Sequence, residues 1–565
     1  MASSLSLLLL VIFFTGFHST LLVLALATGS DHDFSYLKSV YDATDPRLEG
    51  QYDYIVIGGG TAGCPLAATL SEKYSVLVLE RGGAPKEHPN VLHLGGFFPN
   101  LMQEDDGTTP AQRFTSEDGV ANVRGRVLGG TSMINAGFYS RGNQGYFSAS
   151  GVNWDMEAVE KAYEWVEETL VHRPRLAEWQ SAFNEALLET GGGPSNGFNL
   201  NHNIGTKVSG STFDEDGRRH GAVELLNRGY SKNLRVAVEA TVEKIIFSTK
   251  DSKPFATGVI YTDSKGKSHK ALVHQDGEII LSAGALGSPQ LLLLSGIGPE
   301  SYLSSLDIPI VLPQPNIGKF MCDIPRNNIN FIIPFPTESS SVQVVGITRD
   351  YFIEAVSASH AISTATSPFS FYPNPSSAVL SIATIMEKLA TPLSHGLLWL
   401  APGAGVKANP RVRFNYFADP LDLSHCVSAM RKIGEMLQTN SMDQFKYKVS
   451  EGSRDFFFYG PSLPTNQSDN SSMEEFCQNT VTTIWHYHGG CLVGKVVDAD
   501  FRVFGVNSLR VVDGSTFTVS PGTNPQATLM MLGRYLGLKM LREKTEAHDS
   551  RSEYCSVAGA STCDI

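Results

Sequence analysis

Three glycines and one glutamate have the residue types and spacing that bind a dinucleotide. Gly58, Gly60 and Gly63 form G-x-G-x-x-G directly after an apolar run that ends at Ile57, and Glu80 ends the next apolar run. The first glycine permits a tight turn, the second lets the backbone approach a pyrophosphate, and the third lets a helix pack on the strand. Glu80 is placed to accept hydrogen bonds from ribose hydroxyls. The sequence therefore predicts a dinucleotide site but does not separate NAD from FAD.

Two histidines in an aromatic segment offer a second kind of chemistry. His486 and His488 lie in W-H-Y-H-G-G-C, residues 485–491. The unperturbed pKa of histidine is about 6.5, so a neutral imidazole can take the proton of an alcohol near neutral pH. The residues alone also allow a structural histidine in an aromatic core. The role of His488 stays open.

The elements that must hold these groups indicate an α/β protein. A strand at Tyr54–Ile57, a helix at about Cys64–Ser71 and a strand at Val76–Leu79 form a β-α-β unit. Further along, the sequence predicts an amphipathic helix within Trp154–Val171, strands at Leu234–Phe247, Glu278–Ser282, Asn409–Phe417 and Leu509–Val512, and helices beginning at Ser288-Pro289, over Asp422–Leu437 and from about Leu529 to Arg542.

Length and charge limit the class of protein. The 565 residues exceed one compact core and predict two intertwined domains. A net charge of −13 opposes binding to nucleic acid or to an anionic membrane. We expect a small-molecule substrate. Residues 1–27 contain an apolar core followed by Ala25-Leu26-Ala27 and a polar stretch, which predicts a cleaved signal peptide. This n-region lacks Lys and Arg, unlike the usual signal peptide. An uncleaved anchor is the alternative, because the apolar stretch is long enough to approach a membrane span.

The remaining signals fit the secretory pathway. We expect a secreted monomer, extracellular or vacuolar, without a stable membrane span after cleavage. Asn466-Gln467-Ser468 and Asn470-Ser471-Ser472 are glycosylation sequons in a polar segment. Seven cysteines leave one unpaired, and sequence alone does not give their pairing. The chain has neither C-x-x-C nor H-E-x-x-H, so we expect no metal site.

Two longer segments resemble a known family. Residues 125–132, G-R-V-L-G-G-T-S, with Asn135, resemble the first signature of the glucose–methanol–choline (GMC) flavoenzymes, and Gly284 to Gly298 resembles the second. The resemblance implies a Rossmann-like FAD-binding domain built from residues 50–150, 230–320 and 485–545. It also implies an α+β substrate domain with an antiparallel sheet, built from residues 151–229 and 321–484. Residues 546–565 are polar, and we expect a flexible tail there.

The resemblance also implies individual roles. A disulfide would join Cys426 to Cys477. His486 would be the catalytic base facing the flavin, and Asn524 would stabilise the alkoxide. The residues expected to contact FAD are Gly58, Gly60, Thr61, Ala62, Gly63, Glu80, Arg81, Val127, Gly130, Thr131, Asn135, Ala136, Gly137, Phe138, Val242, Trp485, His486, Asp513, Gly514, Pro525 and Gln526.

Within this family the strings resemble most the plant (R)-mandelonitrile lyases, which cleave a cyanohydrin without net redox change. This chain departs from them at the substrate pocket. Asn524 stands where they have a second histidine, Ile484 where they have a substrate-binding tyrosine, and Glu354 near a pocket cysteine. These changes favour an FAD-dependent alcohol oxidoreductase. The alternatives are a hydroxynitrile lyase and a catalytically silent flavoprotein.

Overall fold

The computed structural model describes residues 32–250, 253–362, 378–403 and 405–558. The predicted signal peptide, residues 1–27, lies outside this part of the chain. The described residues form an α/β structure with two large sheets, each covered by its own buried apolar core.

The first sheet carries the glycine-rich motif. Its central strands are parallel and apolar on both faces, as expected of a sheet covered by helices. A strand from near the C-terminus pairs with the long strand Ser268–Leu281, which brings distant segments together. The strands lie in the order Val40–Asp42, Leu234–Val238, Val76–Leu79, Gln51–Ile57, Ser268–Leu281, Lys253–Thr262 and Thr241–Lys250, with Leu509–Val511 beside Ser268–Leu281.

Two helices pack together on this sheet. The helix Gly63–Ser71 is buried along its whole length, and the C-terminal helix Gln526–Ala558 crosses it. Gly533 permits the close approach, because a Cβ there would lie 2.2 Å from the carbonyl oxygen of Ala62. The expectation of an end near Arg542 and a flexible tail was wrong for residues 546–558, which continue the helix. Residues 543–558 contain neither glycine nor proline to stop it.

The second sheet is mostly antiparallel and lies in the predicted substrate domain. Its longest strands, Tyr351–Ile362 and Ala378–Leu389, pair along twelve residues. The strand Pro325–Ile333 pairs with Ala378–Leu389 and also with Thr482–Thr483, which leads into the histidine segment. The strands lie in the order Phe457–Phe458, Pro325–Ile333, Ala378–Leu389, Tyr351–Ile362, Val344–Ile347, Gly205–Val208 and Ser195–Phe198, with Thr482–Thr483 beside Pro325–Ile333.

Helices cover one face of the second sheet, and a disulfide joins two of them. Cys426 of Pro420–Met436 is bonded to Cys477 of Asn470–Thr480, which confirms the predicted pair. No helix in the described ranges is both long and apolar enough to cross a bilayer. The remaining α-helices are Phe97–Met102, Gln144–Ala149, Met156–Leu170, Glu178–Glu189, Gly284–Leu294 and Glu300–Ser304. The short strands are Ala111–Thr115, Ala121–Gly125, Phe138–Tyr139, Gly210–Ser211, Ile297–Gly298, Leu312–Pro313, Lys319–Met321, Gly396–Trp399, Arg411–Arg413, Tyr447–Ser450 and Ser453–Asp455.

Three local predictions were inexact for identifiable reasons. The predicted strand Leu234–Phe247 is two strands, because Glu239 turns the chain with φ of 56°. The helix predicted to begin at Ser288-Pro289 begins at Gly284, and the Ser288 hydroxyl donates to Asp513 instead of capping it. Of the predicted strand Asn409–Phe417, only residues 411–413 pair with a neighbour.

Candidate active site

A groove lies at the carboxyl ends of the parallel strands. This is where open parallel sheets bind nucleotides. The structure brings most of the predicted cofactor residues together there. Those lining the groove are Gly58, Gly60, Thr61, Ala62, Glu80, Arg81, Gly130, Thr131, Val242, Trp485, Asp513, Gly514 and Pro525.

The glycine turn forms one end of the groove. Gly58 has φ of +99°, and a Cβ there would lie 2.4 Å from the carbonyl oxygen of Ser282. The Glu80 carboxylate accepts the N–H of Gly59 at 3.0 Å and the N–H of Gly82 at 2.8 Å. Burial raises the pKa of Glu80, which these contacts partly offset. The carboxylate is thereby fixed at the groove wall, where a ribose would lie.

The rest of the first signature supports the groove from behind. The Asn135 side-chain amide donates to the side-chain oxygen of Gln526 at 2.8 Å. The Gln526 side-chain amide in turn donates to the backbone carbonyl oxygen of Phe138 at 2.6 Å. These bonds join the signature loop to the C-terminal helix. The predicted cofactor residues that do not line the groove are Gly63, Val127, Asn135, Ala136, Gly137, Phe138, His486 and Gln526. Their FAD contacts stay predictions.

Other groove residues were missed by sequence reasoning. Arg124 lines the groove, and its Nη2 is buried without a hydrogen-bond partner among the described residues. Burial, together with Arg81, lowers the pKa of Arg124. Residues 282–287 and Gln290 also line it, and the second signature was the signal that could have found them. A guanidinium with one unpartnered nitrogen and closely approaching backbone fit an anionic cofactor such as FAD.

His486 and Asn524 meet as predicted. The Asn524 amide nitrogen lies 3.5 Å from His486 Nε2, although 38 residues separate them in sequence. The other polar atoms of the pair, His486 Nδ1 and Asn524 Oδ1, are buried and have no partner among the described residues. Burial and then the charges of Lys388, His488 and Arg326 lower the pKa of His486 well below its usual value. The imidazole is therefore neutral at neutral pH and able to accept a proton.

The neighbouring histidine has a different position. His488 is buried, and its Nδ1 lies 3.1 Å from the carbonyl oxygen of His486. Its backbone N–H donates to the Cys322 carbonyl oxygen at 2.8 Å, and its carbonyl oxygen accepts the Cys322 N–H at 2.9 Å. Burial lowers the pKa of His488. His488 therefore supports the backbone of His486.

The two predicted substrate residues differ in accessibility. Ile484 is partly exposed, just before Trp485. Glu354 is completely buried in an ion pair with Lys388, so its carboxylate does not face the groove. Lys388 is the cross-strand neighbour of Arg326, whose guanidinium lies 5.7 Å from the Trp485 ring centre. Glu354, Lys388 and Arg326 thus form a charged layer behind His486. No local sequence pattern marks this layer.

Comparison with known proteins agrees with this geometry. GMC oxidoreductase family models match residues 52–325 and 392–533. The chain is 56% identical to (R)-mandelonitrile lyase 1 of Prunus serotina, over 92% of each chain. It is 51% identical to "Sinalpyl alcohol oxidase Nec3" of Nesocodon mauritianus, over 92% of this chain and 94% of that protein. A solved formate oxidase of Aspergillus oryzae has a TM-score of 0.71 at 19% identity, covering 88% of this chain and 99% of its own.

The chain belongs to the GMC oxidoreductase family. It has the fold of these FAD-dependent enzymes, and FAD is its cofactor. The relatives of this chain within the family include mandelonitrile lyases and an alcohol oxidase. The class of enzyme is thus defined.

Proposed function

We propose that the chain is an FAD-dependent oxidoreductase that acts on the CH–OH group of a small alcohol. The observation that carries the proposal is the pairing of one imidazole with one amide, His486 Nε2 and the Asn524 amide nitrogen, at 3.5 Å. A hydroxyl placed beside both would find a proton acceptor in His486 and a hydrogen-bond donor in Asn524.

The proposed reaction divides the work between the chain and its cofactor. When bound, FAD supplies the acceptor for the hydride that leaves the carbinol carbon. His486 Nε2 takes the hydroxyl proton, the oxygen becomes a carbonyl oxygen, and the product is an aldehyde or ketone. Asn524 donates to the oxygen as negative charge develops there. The low pKa of His486 keeps its imidazole unprotonated before the alcohol arrives.

Cleavage of a cyanohydrin is the second candidate. It is favoured by the identity of 56% to a mandelonitrile lyase. In that reaction the base would again remove a hydroxyl proton, but cyanide would leave instead of hydride. Both candidates therefore use His486, and the residue at 524 is what should distinguish them.

A pair of variants tests the proposal. FAD-loaded His486→Ala should reduce its flavin with alcohols about 10²- to 10⁴-fold more slowly than wild type, the usual value of a general base. Asn524→His, which restores the second histidine, should lose alcohol oxidation and gain cleavage of mandelonitrile. His274→Ala, at an exposed histidine, is the matched control and should change neither rate.

The opposite pattern would contradict the proposal. If wild type cleaves mandelonitrile rapidly and no alcohol in a panel of benzyl, cinnamyl and long-chain primary alcohols reduces its flavin, the lyase candidate replaces it. If His486→Ala matches wild type in both assays, His486 is not the base.

We also propose that the protein enters the secretory pathway and is glycosylated. Asn466 and Asn470 are both exposed, and the Cys426–Cys477 disulfide suits an oxidising compartment. Expression in plant cells should give a secreted or vacuolar protein whose mass falls after glycosidase treatment. The Asn466→Gln, Asn470→Gln double variant should show no such fall, and an unglycosylated cytosolic wild type would contradict the proposal.

A further inference from the structure

The backbone around His486, residues 482–488, is held in an unusual conformation; we call these residues the His486 segment. Trp485 has φ of 62°, a left-handed conformation that a bulky residue rarely adopts. A residue in this conformation persists only where its surroundings determine it. His486 Nδ1 has no partner among the described residues, so no carboxylate orients the ring directly. Besides the contact of its Nε2 with Asn524, the position of the imidazole therefore depends on its backbone.

One buried carboxylate contacts this backbone from the neighbouring strand. Asp323 is 2% exposed, and its Oδ2 accepts the hydroxyls of Thr483 at 2.6 Å and Tyr416 at 2.5 Å. Its Oδ1 accepts the N–H of Ile324 at 2.9 Å. Three donors thus converge on Asp323, and one of them, the Thr483 hydroxyl, belongs to the His486 segment.

The same carboxylate reaches the strained residue through one intermediate. The Thr483 hydroxyl that donates to Asp323 also accepts the N–H of Trp485 at 2.7 Å. Asp323 therefore fixes Thr483 directly and the backbone of Trp485 through the Thr483 hydroxyl. Burial raises the pKa of Asp323 to about 6, so at neutral pH it is ionised and accepts from all its donors.

Neighbouring contacts explain why the segment would not simply come loose. Cys322, next to Asp323, bridges His488 in both directions. Arg326 Nε donates to the Thr482 hydroxyl at 3.0 Å. The ends of the His486 segment are thus tied down independently, and Asp323 holds its centre. Loss of the carboxylate should shift His486 without unfolding the segment.

We propose that Asp323 is the positioning residue for His486, which it places by holding the backbone of the His486 segment. This inference rests on the proposed role of His486 as the proton acceptor. Asp323 acts on the backbone and the Thr483 hydroxyl and takes no part in proton transfer. An asparagine would offer one acceptor oxygen, and its amide would face hydrogen-bond donors instead.

A double-mutant cycle on the FAD-loaded enzyme tests the inference, with the rate of flavin reduction by the fastest alcohol of the panel as the readout. Asp323→Asn should lower this rate about 10- to 100-fold with little change in KM or flavin content, because a misplacement of about 1 Å can cost about 10²-fold. In the His486→Ala background the same substitution should have no further effect. Tyr416→Phe, which removes one donor, should act in the same direction more weakly.

The matched control is a second buried aspartate of the same domain. Asp422 is 1% exposed and accepts the N–H groups of Leu393 and Ser394. Asp422→Asn should leave the rate of flavin reduction unchanged, since it alters a buried carboxylate elsewhere.

Two results would overturn the inference. One is an equal loss from Asp323→Asn in both backgrounds, and the other is a wild-type rate in both Asp323→Asn and Tyr416→Phe. If Asp323→Asn does not fold, the Tyr416→Phe cycle decides: a loss that disappears with His486→Ala supports the inference, and an additive loss contradicts it. A wild-type rate in His486→Ala would instead overturn the proposed function, and the inference with it.

Discussion

The groove and the charged layer behind His486 are built in opposite ways. The wall of the groove at Glu80 is closed by backbone N–H groups of Gly59 and Gly82, within 21 residues of the glutamate. The charged layer joins Arg326, Glu354 and Lys388 from three strands of the second sheet. Cofactor binding therefore depends on local backbone geometry, whereas the environment of the base depends on side chains brought together by the sheet.

Because cofactor binding depends on backbone geometry, disturbing the backbone of the groove should abolish FAD binding. Gly58→Ala should yield a protein that purifies without flavin, because the added Cβ would lie 2.4 Å from Ser282 O. Flavin content per chain, from absorbance, is the measurement. Gly119→Ala is the control, since Gly119 has a similar φ of +82° but open space around it. Full flavin content in Gly58→Ala would show that this turn does not limit cofactor binding.

Disrupting the charged layer should lower the free energy of unfolding of the protein. Glu354→Leu leaves the Lys388 ammonium unpaired in a site with no exposure, which should lower the free energy of unfolding by about 3–5 kcal/mol. Thermal unfolding measures this as a lower Tm. Adding Lys388→Met should recover most of the loss, because neither charge of this pair is then left without its partner. A double variant less stable than Glu354→Leu would contradict this account of the pair.

Removing the disulfide should lower the stability of the protein without affecting the groove. Cys426→Ser with Cys477→Ser opens a link across 51 residues and should lower the free energy of unfolding by about 2–4 kcal/mol. Flavin content should not change, since this disulfide lies under the second sheet, in a different core from the groove. Thermal unfolding and flavin absorbance on the same sample test both parts. Loss of flavin at temperatures where the protein is folded would mean that the two cores are coupled.

The smallest expected effect concerns pH. The pKa of His486 is lowered, so its neutral form persists as pH falls, and kcat/KM should hold through pH 6.5 and decline only below it. A pH profile of flavin reduction measures this. An acid limb centred at or above 6.5 would mean that the charged layer does not act on His486 as described.

These differences also decide what the sequence could predict. The turn at Gly58 and the acid at Glu80 lie in a motif with fixed spacing, and the His486–Asn524 pair follows from the resemblance to the family, so the fold, the groove and the pair were predictable. The Glu354–Lys388 pair and the contacts of Asp323 with the Tyr416 and Thr483 hydroxyls join positions 34 to 160 residues apart. No local pattern marks such contacts, because they depend on strand register. The predicted C-terminal helix is too short, because the polar composition after Arg542 indicates disorder whereas the chain there is helical.

One measurement tests the central claim most directly. FAD-loaded wild-type enzyme is mixed without oxygen with an alcohol deuterated at the carbinol carbon and, separately, with its protonated form. We predict one aldehyde or ketone formed per flavin reduced, and slower reduction with the deuterated alcohol because the C–H bond breaks in that step. If no alcohol reduces the flavin while mandelonitrile yields benzaldehyde and cyanide with the flavin still oxidised, the enzyme is a lyase and the claim is wrong.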